Sequence, residues 1–128
     1  MIDLDTVQSI HNILIDKFGG SKGIRDLKAL EAALARPDAT FEQHDLYPEI
    51  IDKATALFES LIINHPFIDG NKRIAYVILR LVLQENSMDI DATQDDKYDF
   101  VIAASKGEYR FEEIRAWLTK HVVNKNEP

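Results

Sequence analysis

The chain has 128 residues, no cysteine, and 15 Lys plus Arg against 22 Asp plus Glu, a formal charge of −7. That length suits one compact domain, and 45% apolar residues with only four prolines and five glycines exclude a disordered chain. The missing cysteines exclude a disulfide scaffold, a thiolate zinc site and a cysteine nucleophile, and the acidic balance argues against a protein that coats duplex nucleic acid.

Helical periodicity runs through nearly the whole sequence. Val7, Ile10, Leu14 and Phe18 recur at helical spacing, opened by Asp3 or Asp5 as N-cap and closed by Gly19-Gly20. A second helix is expected from Ser21, carried by Ile24, Leu27, Leu30 and Leu34 and ended by Pro37. Residues 38–47 lose the periodicity and read as a flap or loop, with a short hairpin as the other option. Pro48 suits the first turn of a third helix striped by Ile51, Ala54, Phe58, Leu61 and Ile62, which Pro66 ends. Residues 72–86, apolar on almost every face apart from Arg80 and Gln84, predict the central buried helix. Residues 87–92 alternate too briefly to support a sheet. Asp95 or Asp96 can cap a helix carrying Tyr98, Val101 and Ile102 up to Gly107, and Phe111, Ile114, Leu118 and Val122 mark the last one. Residues 124–128 should fray, with 126–128 as a disordered tail.

The expected fold is therefore all-α, a compact single-domain bundle of about six helices over residues 1–125. Asp3 and Asp5 interrupt the N-terminus, and the apolar run 74–83 is short and contains Arg80, so no signal peptide or membrane span is expected and the location should be cytoplasmic.

One segment exceeds what a turn needs: His65-Pro66-Phe67-Ile68-Asp69-Gly70-Asn71-Lys72-Arg73, between two helices. Its last four positions form a glycine-opened turn entering a helix, whose free N–H groups and positive dipole end favour an anion such as phosphate. Gly70 permits close approach, and the planar fork of Arg73 can grip two phosphate oxygens. Asp69 offers the hard oxygen that Mg²⁺ prefers. His65 can be neutral at working pH and take a proton from an attacking hydroxyl.

The string HPFIDGNKR resembles the Fic superfamily signature H-P-F-x-[D/E]-G-N-[G/K]-R, and Lys72 at its eighth position is similar to the Doc branch, the death-on-curing toxins. The resemblance is strong over 64–75 and extends loosely outward, through GGSKGIRDLKALEAALARP and the helix leading into NHPF. It implies a helical fold, His65 as general base for a protein hydroxyl, Asp69 as Mg²⁺ ligand, and Asn71 and Arg73 as phosphate contacts, with Gly70 and Lys72 completing the nucleotide site. Phe67 would anchor the loop in the core. Members that transfer AMP carry glycine where Lys72 stands. Lysine goes with a reversed nucleotide pose, so the resemblance implies an ATP- and Mg²⁺-dependent kinase that phosphorylates a Ser or Thr of a translation factor of the elongation factor Tu type. Some Doc proteins have alanine where Gly70 stands, which keeps transfer of AMP or another nucleotide group as the alternative.

Many Fic proteins carry an inhibitory helix of the form [S/T]-x-x-x-E-[G/N]. The nearest string, Thr55 to Glu59 followed by Ser60, fits equally well as the solvated edge of an amphipathic helix. The chain is thus expected to lack its own brake and to need a cognate antitoxin whose segment folds on binding in a groove.

Two other classes compete. His44-Asp45 with His11 would suit a metal-dependent phosphohydrolase, although His11 also fits as the polar edge of the first helix. A non-enzymatic binding module lacks a basic recognition face, and Tyr98, Tyr109, Phe111 and Trp117 read as core rather than as a stacking surface. His121 reads as a surface residue near a helix end. Arg25, Arg80, Arg110 and Arg115 either line the pocket or pair with carboxylates.

Overall fold

The computed structural model describes residues 1–125, and the expected tail 126–128 lies outside them. Among the described residues six α-helices surround a core with one central layer, α3 (Ile50–Asn64) packed along α4 (Asn71–Glu85). Ten residues of α3 are buried, as are Ile74, Ala75, Ile78, Leu79, Val82 and Leu83 of α4, the helix expected at 72–86. No described helix is long and apolar enough to cross a membrane.

Helix α1 (Leu4–Phe18) starts where Asp3 accepts the Thr6 N–H at 2.8 Å, satisfying one free amide of the first turn. Its fully buried face is Val7, His11 and Ile15, four residues apart, and not the stripe ending on Phe18, which is 54% exposed. His11 is therefore core, not the polar edge expected of it.

Helix α2 (Leu27–Ala35) begins at Asp26, which caps Ala29, five residues later than expected from Ser21. Residues 23–26 are bent and non-helical instead, with Ile24 bridged to Phe67. Their backbone groups are committed to the loop after α3: Arg25 and Asp26 both donate to the Pro66 carbonyl at 2.8 and 3.0 Å, and Ile68 donates to the Gly23 carbonyl at 3.0 Å. A chain segment cannot make a helical turn with groups already bonded elsewhere.

Residues 38–47 contain a hairpin, β1 (Thr40–Phe41) against β2 (His44–Asp45), turning at Glu42 and Gln43, both with positive φ. Pro48 stays outside α3, whose cap is Glu49 with Asp52 in a reciprocal box. Thr55 and Glu59 are buried, contrary to the solvated edge expected. Thr55 donates to the Ile51 carbonyl, and Glu59 lies between Arg36 at 2.9 Å and Arg110 at 3.0 Å.

A further departure is a strand pair that joins distant segments. Strand β3 (Met88–Ile90) pairs antiparallel with β4 (Val122–Asn124), and the Lys125 N–H donates to the Ser87 carbonyl, so residues 124 and 125 do not fray. Helix α5 (Gln94–Ser105) is capped by Thr93, which accepts the Asp96 N–H, so neither Asp95 nor Asp96 is the cap. Helix α6 (Phe111–His121) buries Ile114 and Leu118. Trp117 stacks on Phe100 at 3.9 Å and His121 on Trp117 at 4.1 Å, which makes His121 half-buried. Tyr98 is 67% exposed and is not core.

Candidate functional site

The loop between α3 and α4 is held by backbone geometry before any side chain acts. His65 ends α3 in the left-handed conformation, φ 47° and ψ 58°, which a non-glycine residue adopts only under constraint. The constraint is Arg25. Its Nε donates to the His65 carbonyl at 2.8 Å and its Nη2 to the Asn64 carbonyl at 2.7 Å. These carbonyls belong to the helix end, where the dipole is negative and a cation is favoured.

Beyond Pro66 the loop folds back on itself. The Asn71 side chain accepts the Phe67 N–H through Oδ1 and donates to the Phe67 carbonyl through Nδ2, both at 2.9 Å. Asn71 thereby braces the loop, leaving its second Nδ2 hydrogen and its backbone N–H for an anion. Phe67 is buried, as expected of an anchor. Helix α4 makes its first backbone bond from Ile74 to the Gly70 carbonyl, and no side chain caps it, so its opening N–H groups point out of the helix without a helical acceptor.

The six sequence-derived positions come together. His65, Asp69, Gly70, Asn71, Lys72 and Arg73 line one mostly polar cavity of about 320 Å³, with Ile68 as its apolar wall. Asp69 Oδ1 accepts the Gly70 N–H at 2.8 Å and Oδ2 accepts the Ser21 N–H at 3.2 Å. Each carboxylate oxygen keeps a lone pair beyond those bonds, so Asp69 remains able to bind a hard cation. Mg²⁺ takes one or two carboxylates together with phosphate oxygens and water, and a single exposed aspartate at the edge of a polar cavity with room for phosphate groups fits that requirement. Arg73 lies over the ring of Phe18 at 4.3 Å, leaving its in-plane donors open.

Lys72 and Arg73 also border a second, apolar cavity of about 320 Å³ between α4 and α5, walled by Tyr76, Val77, Tyr98, Val101 and Ile102. Burial raises the pKa of the Tyr76 phenol, whose hydroxyl has no hydrogen-bond partner among the described residues.

The remaining arginines divide between structure and site. Arg80 pairs with Asp89, Arg110 with Glu59 and Arg115 with Asp52, whereas Arg25 holds the loop. Among the described residues no three His, Cys, Asp or Glu side chains converge on a metal position, and His44 sits on the exposed hairpin while His11 is buried under the loop. The phosphohydrolase arrangement is not formed. Sequence reasoning missed the roles of His11 and of residues 23–26. The spacing Val7, His11, Ile15 was the available signal for the first.

Residues 1–83 match the Fic/DOC family, a span that takes in both the 11–26 segment and the loop it grips. The chain is also similar to Toxin Doc of Mycolicibacterium smegmatis, with 45% identity over 78 residues, 61% of this chain and 60% of that protein. It thus spans less than two thirds of the relative's length. The family match covers more than half of the chain and includes every residue of the cavity, and on it rests the assignment: this chain belongs to the Fic/DOC family.

Proposed function

We propose that this chain is the toxin of a toxin–antitoxin module and that it transfers the γ-phosphate of ATP to a Ser or Thr hydroxyl of a translation factor of the elongation factor Tu type. The observation that carries the reading is one cavity shared by the exposed His65, the Asp69 carboxylate and the open N-terminus of α4 with Lys72 and Arg73. In the reaction the hydroxyl oxygen bonds to the γ-phosphorus, the bond from that phosphorus to the bridging oxygen breaks, and ADP leaves. His65 takes the hydroxyl proton. The α4 amides and Arg73 stabilise charge on the transferring group. Asp69 would hold Mg²⁺, which when bound neutralises charge on the phosphate oxygens.

Lys72 supports phosphate over AMP transfer, because its side chain and point charge stand where the AMP-transferring members have glycine. The similarity to Toxin Doc supports the toxin class. The apolar cavity beside the site, edged by Lys72, Arg73 and Lys97, suits an acidic and apolar antitoxin segment that folds on binding. Such a toxin acts in the cytoplasm, where its target is, without contacting nucleic acid directly.

Incubation with candidate translation factors and ATP, read by intact mass, tests the reaction. A gain of one phosphate, carried by γ-labelled and not α-labelled ATP and lost in His65→Ala, is expected. A gain of AMP would overturn the use made of Lys72. Unimpaired growth on strong expression of the lone chain, unchanged by His65→Ala, would count against the toxin class.

A further inference from the structure

His11 is 1% exposed, an ionisable side chain sealed under the loop and given no part in the reaction above. Its ring stacks on Phe67, 3.9 Å between centroids and 11° between planes, and its Nε2 lies 2.8 Å from the Asp69 carbonyl oxygen. A carbonyl only accepts, so Nε2 carries the hydrogen. Gly70 follows so closely that a Cβ there would come within 3.7 Å of the same nitrogen and 3.3 Å of Ile15.

The contact with the Asp69 carbonyl fixes more than one atom. In a planar trans peptide the carbonyl and the following N–H point in opposite directions, so holding the Asp69 oxygen toward α1 turns the Gly70 N–H the other way. That N–H donates to Asp69 Oδ1 at 2.8 Å. A chain of constraint runs from the His11 ring through one peptide plane to the carboxylate at the cavity.

We infer that His11 is a positioning residue that orients the Asp69 carboxylate toward its cation, with Phe67 stacking to keep the imidazole in line. The inference rests on the reading of Asp69 as the Mg²⁺-holding group, and it predicts a metal requirement set by a residue that touches neither metal nor nucleotide.

Two substitutions separate the ring from its hydrogen bond. His11→Phe keeps an aromatic face on Phe67 and removes the donor. His11→Gln keeps an N–H at similar reach and removes the ring. In the full chain, transfer is measured against Mg²⁺ at fixed ATP, and hydrogen exchange of the Gly70 amide is followed without substrate. For His11→Phe the Mg²⁺ needed for half-maximal rate should rise about tenfold, recovering at saturating Mg²⁺, and Gly70 exchange should quicken about tenfold, the factor that loss of one hydrogen bond commands. His11→Gln should stay within about threefold of the parent on both, since its donor is retained. Unchanged Mg²⁺ requirement and exchange in a folded His11→Phe overturn the inference. Should His11→Phe not fold, His11→Leu, which also lacks the donor, takes its place with the same expected rises, and unchanged values in it overturn the inference. If the parent chain transfers no group, the proposed reaction fails, and Gly70 exchange still decides: faster in His11→Phe alone supports the clamp, unchanged refutes it.

Discussion

Arg73 holds its guanidinium 4.3 Å over the ring of Phe18, so that the last residue of α1 supports the third residue of α4. A cation on an aromatic face keeps its in-plane N–H groups free, which is the orientation a phosphate needs. Phe18→Leu should therefore leave the fold intact and raise the KM for nucleotide about two- to fivefold, the equivalent of ~0.5–1 kcal/mol for an exposed cation–π contact. Initial rates at varied ATP check this, and an unaltered KM would show that Arg73 needs no support from α1.

Two adjacent glycines offer a matched comparison. Both have positive φ, 89° at Gly19 and 114° at Gly20, but a Cβ on Gly19 would meet nothing within 4 Å, whereas one on Gly20 would lie 2.7 Å from Asp69 Oδ2. Alanine at either position should lose about 1–2 kcal/mol of stability to backbone strain. Only Gly20→Ala should also displace the carboxylate and raise the Mg²⁺ requirement for transfer. Denaturant titrations together with Mg²⁺ titrations of both variants distinguish strain from displacement.

Arg25 is exposed and makes no ion pair among the described residues, yet it closes the end of α3 through two carbonyls. Arg25→Ala should cost about 1–2 kcal/mol, the range for exposed charge-assisted hydrogen bonds, and should lower the transfer rate by more than the stability loss accounts for, because the His65 backbone loses its restraint. Arg25→Lys should rescue in part, since an ammonium cannot reproduce the two-armed geometry. Equal activity in all three chains at a temperature where each is folded would refute the restraint.

Away from the site, Asp89 is gripped by Arg80, which bonds both carboxylate oxygens at 3.0 and 2.7 Å. The Arg80 fork holds this carboxyl well below its ordinary 3.8, with the Ile90 N–H and Gln84 assisting against the opposing effect of burial. The folded chain thus binds fewer protons here than the unfolded chain once the pH drops toward 4. The stability from this pair is complete above the unfolded value and is lost as pH falls from there through the lower folded value. Asp89→Asn should lose about 1–3 kcal/mol at neutral pH and show a shallower decline of stability below pH ~4 than the parent. Chemical denaturation at a series of acid pH values measures both.

The helices and the loop were legible in the sequence for different reasons. Apolar residues three and four apart repeat within each helix, so α1, α3, α4 and α6 announce themselves locally. The loop stood out because its His, Asp, Asn, Lys and Arg exceed what a turn requires. What the sequence concealed was long-range partnership. Ile24 and Leu27 continue a helical spacing, but the backbone around Ile24 is bonded to residues near Phe67. Residues 87–92 alternate too briefly to announce a strand, and the partner of 88–90 lies at 122–124. Thr55 and Glu59 have polar side chains on what looks like a wet edge, until Arg36 and Arg110 arrive from other elements to satisfy Glu59.

Three of the ties that shape the cavity reach far along the chain: 40 residues from Arg25 to His65, 48 from Ser21 to Asp69 and 58 from His11 to Asp69. Closing such spans demands chain entropy that nearby helical contacts do not. Contacts of that span are expected to form after the local helical ones, and amide exchange of Ser21 and Gly70 compared with that of α3 and α4 measures the order. On the proposed reaction, a copy with helical α3 and α4 but with these ties unmade would be inert, so the onset of transfer would lag the onset of helical structure.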